Sequence, residues 1–374
     1  MAIPLCPYFK KCGGCSAQHI DYKLQLDNKK KQLIDSCSFQ EVKVFSDEPY
    51  HYRNRMDFVF HAKGLGLRAF GRSSEIIDIC ECVIADAVVN KLLSEVRDYF
   101  KGVDYFDLRR KRGTFFSVII RSSLIGDSAL FFILNENSPA LMEAFEKIRL
   151  FALRSSAKNI LVGVGGSDKE SCFPEEYEVI KGEEFMVEEF LGKRFCYPIF
   201  GFFQNNPIMA RKMQEYVQKI LECNKTLNAS LLDLYGGVGT FGIANADLFH
   251  AVTIVESVPA SIKMAEQNVL FNNTLNVKRV VLDAQYIKRL SFFGRLFVIT
   301  DPPRSGMHPK TIAYLNEIKP EVIIYISCNV EQLSKDLMKF HDYEVKSAAL
   351  FDLFPQTTHS EAVVELRKKT LSKK

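Results

Sequence analysis

The sequence predicts a two-domain α/β protein. A doubly wound, Rossmann-like domain covers 199–374, and an antiparallel β-rich domain is built from 1–18 and 50–198. A helical segment, 19–49, packs on the Rossmann-like domain. Three observations carry this. From about residue 200, short apolar stretches alternate with helical ones, the rhythm of a parallel sheet wrapped by helices. Residues 50–150 instead carry aromatic and β-branched runs punctuated by Gly, Ser and Asn, the pattern of antiparallel strands. Finally, 374 residues with 47% hydrophobic and 25% charged side chains have the size and composition of two globular domains.

Taken in order, 1–18 hold three cysteines around Gly13 and Gly14. Residues 21–36 lack Gly and Pro and read as a basic, mostly exposed helix. Val59–Phe60, Phe115–Arg121 and Ala129–Leu134 read as strands, and 139–153 as an amphipathic helix with Pro139 in its first turn. Residues 168–189 read as acidic and irregular. Then follow helices at 207–222, opened by Pro207, and 259–272. The strands Leu231–Leu234, Val252–Val255, Val280–Leu282, Phe297–Thr300 and Val322–Ile326 alternate with them, and the basic end LRKKTLSKK reads as frayed. No apolar run is long enough to span a bilayer and the N-terminus has no apolar signal core, so a cytoplasmic protein without membrane contact is expected. The net charge of +4 neither requires nor excludes a nucleic acid, although acidic 159–200 separates two mildly basic regions.

The loop Asp233-Leu-Tyr-Gly-Gly-Val-Gly239 follows a strand and precedes a helix. Its glycines, Gly237 among them, let a ligand approach the backbone, and the helix start offers free N–H groups. Glu256 closes the next strand, where a carboxylate takes both hydroxyls of a ribose, and Asp283 closes the third, within reach of an adenine amine. The pattern is not G-x-G-x-x-G. Its leading acid suits the amino group of S-adenosylmethionine and would repel a pyrophosphate.

Asp301-Pro-Pro-Arg-Ser-Gly306 and Ser327-Cys328-Asn329 follow two further buried strands, and His359-Ser360-Glu361 lies near the C-terminus. A cysteine in such a place is often a small buried hydrophobe. Beside a methyl donor, however, these residues suit one reaction. A thiolate (Cys328) adds to carbon 6 of a uracil, carbon 5 becomes nucleophilic, and a base (Glu361) later removes the carbon 5 proton. Asp301 would hydrogen-bond the N3–H side of the ring. Arg304 would face a phosphate or base edge and help the thiolate. Cys6, Cys12, Cys15 and a distant Cys82 could close a four-thiolate site for zinc or an iron–sulfur cluster, with Cys80 the rival fourth ligand.

The segments CPYFKKCGGCSAQH, YRNRMDF, GFFQNN, DLYGGVGTF, DPPRSGM, YISCN and FPQTTHSEAVVEL together resemble the RNA uracil-C5-methyltransferase family. The resemblance implies a Rossmann-like class I S-adenosylmethionine-dependent methyltransferase domain plus an antiparallel β-rich iron–sulfur and RNA-binding domain. It implies Cys328 as nucleophile and Glu361 as base. Gln204, Tyr235, Gly237, Glu256 and Asp301 are implied around S-adenosylmethionine, with Asp283 and Thr240 less directly matched. Cys6, Cys12, Cys15 and Cys82 are implied as [4Fe–4S] ligands, Cys82 being favoured over Cys80 by its Glu-Cys-Val-Ile context. Cys37, Cys172, Cys196 and Cys223 remain structural.

The family usually has Cys where Gly236 stands and Pro where Val330 stands. Lys10, Lys11, Arg53, Arg55, Arg68, Arg72 and Arg109–Arg112, interleaved with Tyr8, Phe9, Tyr52, Phe58 and Phe70, suit a folded, partly single-stranded RNA. With Cys6 near the start, the N-terminal barrel of many family members is expected to be absent. That short form resembles the 23S rRNA enzymes. The expectation is therefore a monomer that methylates an rRNA uracil. The alternatives are a tRNA uracil-54 C5-methyltransferase and a non-catalytic RNA-binding or ribosome-assembly factor.

Overall fold

The computed structural model describes residues 2–165 and 176–369, so Cys172 and the last five residues lie outside the described residues. The chain forms two compact units. One comprises 1–22, 48–188 and 197–207; the other comprises 23–47, 189–196 and 208–374.

The first unit is a seven-stranded sheet. Its order is Arg72–Asp78, Gly64–Ala69, Arg55–His61, Phe115–Ser122, Ser128–Asn135, Asn159–Gly165 and Glu176–Lys181. The pairing is antiparallel, with one departure from the expected pattern. Ser128–Asn135 runs parallel to Asn159–Gly165, because the helix Leu141–Ala152 carries the chain across between them. The expected irregular segment 168–189 is corrected over its described part, where Glu176–Lys181 and Phe185–Phe190 are strands. Alternate residues of the sheet, such as Phe58, Phe60, Val118, Ile120, Leu130 and Phe132, form a core with the helices Ala87–Tyr99 and Leu141–Ala152.

The second unit is an eight-stranded mixed sheet. Five parallel strands, Val322–Ser327, Arg295–Thr300, Ala229–Leu234, Ala251–Glu256 and Val277–Val281, lie side by side in that order. They read as near-continuous apolar runs because helices cover both faces of a parallel sheet. Glu361–Lys368 and Tyr343–Phe351 add an antiparallel ribbon, and Lys43–Phe45 pairs parallel to Tyr343–Phe351 at the edge. The expected frayed end is corrected over its first residues, since the chain is strand as far as Lys368; 370–374 lie outside the described residues.

The unit boundaries differ from the expected break at 198/199, and hydrogen bonds explain where they fall. Asn268 donates to the Cys196 and Val238 carbonyls and accepts from the Cys196 N–H, which fixes 189–196 to the second unit. The fully buried Arg121 donates from Nη1 to the Ile199 and Gly201 carbonyls at 3.0 and 2.8 Å and lies over the Tyr197 ring, which fixes 197–207 to the first.

One buried carboxylate ties the loops at the C-terminal edge of the parallel strands. Asp336 accepts from the Met307 N–H (2.9 Å), Tyr325 Oη (2.8 Å), Gln332 Nε2 (3.0 Å) and Lys339 Nζ (2.9 Å). The helix Val330–Leu337 passes so close that a Cβ on Gly306 would lie 2.4 Å from the Asp336 carboxylate, at a φ of +81° that itself favours glycine. Asp336→Ala leaves these donors without a partner. It should cost about 1–3 kcal/mol of stability, read as a lower urea midpoint for the second unit; an unchanged midpoint would show the carboxylate to be dispensable.

Candidate active site

The strand Ala229–Leu234 ends in the glycine loop, where Tyr235 at φ 59°, Gly237 at 54° and Gly239 at 87° turn the chain into the helix Thr240–Ala244. Asp233 is fully buried and accepts from the Gly242 N–H at 2.8 Å, so it pins the helix start from beneath. Burial, opposed by that bond and reinforced by Asp301 and Glu256, pushes its carboxyl up to about 7. Glu256 splits its oxygens: Oε2 accepts from the Gly237 N–H at 3.1 Å and Oε1 from the Val258 N–H at 2.9 Å. Space lies open over Gly237, since a Cβ there would meet nothing within 4 Å. Gly236 is the reverse case. A Cβ would stand 2.6 Å from Ile254 Cγ2, so the absence of the family's usual Cys goes with a packed neighbour rather than an enlarged site. Asp283 lies two residues beyond the strand Val277–Val281, exposed, capping the turn Ala284–Arg289 through the Gln285 N–H at 2.9 Å. The Tyr235 hydroxyl accepts from the His308 N–H at 3.4 Å, which links this loop to the one bearing Asp301.

Asp301 follows the strand Arg295–Thr300, and Cys328 follows Val322–Ser327. The antiparallel register pairing Ser327 with Ala362 makes Cys328 and Glu361 the next pair along. Asp301 is half-buried and Glu361 buried: desolvation raises both, Asp301 to about 7 and Glu361 well above the usual carboxylate range, with Asp301 adding to the rise of Glu361 and Arg304 drawing it back. The half-buried Cys328 thiol is pushed up to about 11 by burial and then by Glu361 and Asp301, with Arg304 opposing. Arg304 is exposed; its carbonyl accepts from Asn329 Nδ2 at 3.0 Å, which joins the two reactive loops, and its Nη2 is 3.5 Å from His359 Nδ1. Cys328, Glu361, Asp301 and Arg304 therefore share one site, with Asp233 and Glu256 beside Asp301. Its carboxyls, raised by desolvation and opposed at Glu361 by Arg304, fit a cationic ligand.

Gln204 is half-buried on the segment 197–207 of the first unit, not among the residues of the second. Cys6, Cys12, Cys15 and Cys82, all of the first unit, line one cavity of about 530 Å³, whereas Cys80 is exposed and offers its N–H to Tyr8 Oη. Burial raises Cys12, Cys15 (to about 12) and Cys82, and neighbouring thiols add to it. Among the described residues no three His, Cys, Asp or Glu side chains are already drawn together tightly enough to hold a metal ion. The sulfur donors and their shared cavity suit a thiophilic centre in chemistry, with the thiols still to close on it.

The expected RNA-binding residues also divide. Tyr52 and Phe58 are core, Arg53 donates to the Arg55 carbonyl, and Arg55 to the Phe200 and Gly201 carbonyls. Lys10, Lys11, Arg68, Phe70, Arg72 and Arg109–Arg112 are exposed. Sequence reasoning missed Asp336, Arg121 and the pair Lys29–Asp352. Only Lys29 carried a signal, in its i, i+4 spacing with Gln25 and Leu33.

The family model for tRNA (uracil-5-)-methyltransferase matches residues 21–369. An uncharacterized RNA methyltransferase of Caldanaerobacter subterraneus subsp. tengcongensis is 30% identical, over 97% of this chain and 84% of that protein. The tRNA (uracil(54)-C(5))-methyltransferase of Pyrococcus abyssi is also 30% identical, over 97% and 85%. The crystal structure of the P. abyssi tRNA (uracil-54, C5)-methyltransferase in complex with S-adenosyl-L-homocysteine superposes with a TM-score of 0.80 at 28% identity, covering 95% of this chain and 86% of that one. With a match over nearly its whole length, the chain belongs to the tRNA (uracil-5-)-methyltransferase family.

Proposed function

We propose that this protein methylates carbon 5 of a uracil in a structured RNA, with Cys328 as nucleophile and Glu361 as base. The observation that carries the reading is the strand register that sets Cys328 beside Glu361 at the sheet edge where Asp301 also ends its strand. Cys328 Sγ, as thiolate, forms a bond to carbon 6, and the C5=C6 π electrons move onto the carbonyl at carbon 4, which leaves carbon 5 nucleophilic. S-adenosylmethionine, when bound, supplies the methyl group to carbon 5. Glu361 then takes the carbon 5 proton, those electrons restore C5=C6, and the C6–S bond breaks to return the thiolate. Asp301 supplies negative charge beside the donor or accepts from the N3–H of the ring. The open space over Gly237, with Tyr235, Glu256 and Asp283, holds the rest of the donor.

The four cysteines Cys6, Cys12, Cys15 and Cys82 hold a [4Fe–4S] cluster in this reading. Its part is to staple the β-rich unit, because the first three belong to one loop and Cys82 is anchored by Asn90 of a helix. The target RNA is 23S rRNA, with tRNA set beside it on the names of the Pyrococcus relatives. The enzyme acts as a cytoplasmic monomer; among the described residues no helix is long and apolar enough to cross a membrane.

Three outcomes are expected. With tritiated donor and rRNA and tRNA transcripts, Cys328→Ala abolishes methyl transfer and covalent RNA adducts, whereas Glu361→Gln accumulates adducts that do not resolve. Normal turnover by Glu361→Gln would sink the base assignment. Turnover by the wild-type protein rises between about pH 6 and 9. Glu361, held high by burial, must lose its proton before it can accept one, and Cys328, pushed up to about 11, gains thiolate in the same direction. A rate that falls over this range would contradict both roles. Finally, anaerobically purified protein is brown and holds about four irons per chain; Cys82→Ser loses them and Cys80→Ser does not. A colourless, zinc-loaded protein would exclude the cluster.

A further inference from the structure

The helix Tyr22–Cys37 is rich in lysine, yet it buries one face, Gln25, Lys29, Leu33 and Cys37 at i, i+4 spacing, whose first two members are polar. Lys29 opens the run Lys29-Lys30-Lys31, whose other members belong to a solvated face. It is instead almost wholly removed from water, its side chain 4% exposed and that of its partner Asp352 0%. Its Nζ donates to Asp352 Oδ1 at 2.6 Å and to the Phe354 carbonyl at 3.1 Å. One turn earlier Gln25 Nε2 donates to Gln356 Oε1 at 3.1 Å, and Gln25 Oε1 accepts from the Gln356 N–H at 3.2 Å. These bonds span more than three hundred residues of sequence and all fall on one loop, 352–360. That loop leaves the strand Tyr343–Phe351 and returns as the strand that begins with Glu361.

The loop is drawn tight around the atom Lys29 holds. The Phe354 carbonyl also accepts from Thr357 Oγ1 at 2.8 Å and from its N–H at 3.3 Å, and Thr357 Oγ1 accepts from the His359 N–H at 3.1 Å. Gln356 sits at φ 66°, a conformation a non-glycine residue keeps only when its surroundings hold it. A buried ion pair between distant segments contributes little to stability compared with apolar side chains of the same size, while it does fix one geometry.

We infer that Lys29 and Asp352, together with Gln25, are positioning residues for Glu361, setting the loop from which it removes the carbon 5 proton. This rests on the methyltransferase reading above. It concerns the second half of the reaction alone, in which the proton passes to the Glu361 carboxylate, C5=C6 re-forms and Cys328 Sγ leaves. Formation of the C6–S bond depends on the loops held by Asp336 and lies outside its reach.

The test is the double variant Lys29→Met, Asp352→Leu, which removes both charges and keeps the volume filled, so that no lone buried charge unfolds the protein. Adducts between protein and target transcript are followed by denaturing gel in single turnover, beside wild type and Glu361→Gln. The expected result is adduct formation within about twofold of wild type and adduct decay about 10- to 100-fold slower, the scale of a misplaced catalytic group. Lys29→Arg, which keeps the charge, is expected to decay faster than the double variant. Wild-type decay in the folded double variant overturns the inference. So does equal loss of adduct formation and decay, which would mean a general structural role. No methyl transfer by wild type itself would instead overturn the functional reading, and the inference with it.

Discussion

The sheet edge that carries the candidate active site depends on one buried carboxylate whose partners all lie within the protein. Asp336 is wholly buried and satisfied by a backbone N–H, a phenol, an amide and an ammonium from four different places in the chain. Parallel strands end where their helices begin, so each loop on that edge is free to move unless something crosses between loops. Asp336 crosses. It fixes the Asp301 loop at Met307, the Val322–Ser327 strand at Tyr325 and the helix after Cys328 at Gln332. Tyr235 extends the connection to the glycine loop through His308.

The site these contacts fix is short of positive charge. Asp233, Asp301 and Glu361 are all raised by burial, and Arg304, exposed, is the cation set against them. Such a set is costly by itself and becomes favourable when a cation enters.

Much of this was legible in the sequence, for reasons that differ by region. The parallel strands announce themselves because both faces are buried, and the glycine loop because its positive φ values admit few residues. Asp301 and Cys328 could be read as candidates because each follows a recognisable apolar strand. What could not be read was pairing at a distance. The ribbon Tyr343–Phe351 with Glu361–Lys368 alternates too weakly to declare a partner, and the strands at Gly64–Ala69 and Arg72–Asp78 are broken by glycines and charges. Lys29 and Asp352 stand 323 residues apart, so nothing local marks either as buried. Arg121 likewise looks like a surface cation at the end of an apolar run. The expected RNA-binding set mixed Tyr52 and Phe58, which are core, with Phe70, which is exposed, because composition does not record which face a residue takes.

The edge strand Lys43–Phe45 gives the chain a particular order of assembly. The sheet of the second unit takes its outermost strand from residues 43–45 and the strand beside it from residues 343–351. Closing that sheet brings together segments separated by about the whole intervening sequence, a pairing of very high contact order. The segment 23–47 must therefore wait, through synthesis of both units, for the ribbon that completes it. The first unit, whose last segment ends at residue 207, has every residue it needs to fold ahead of the second.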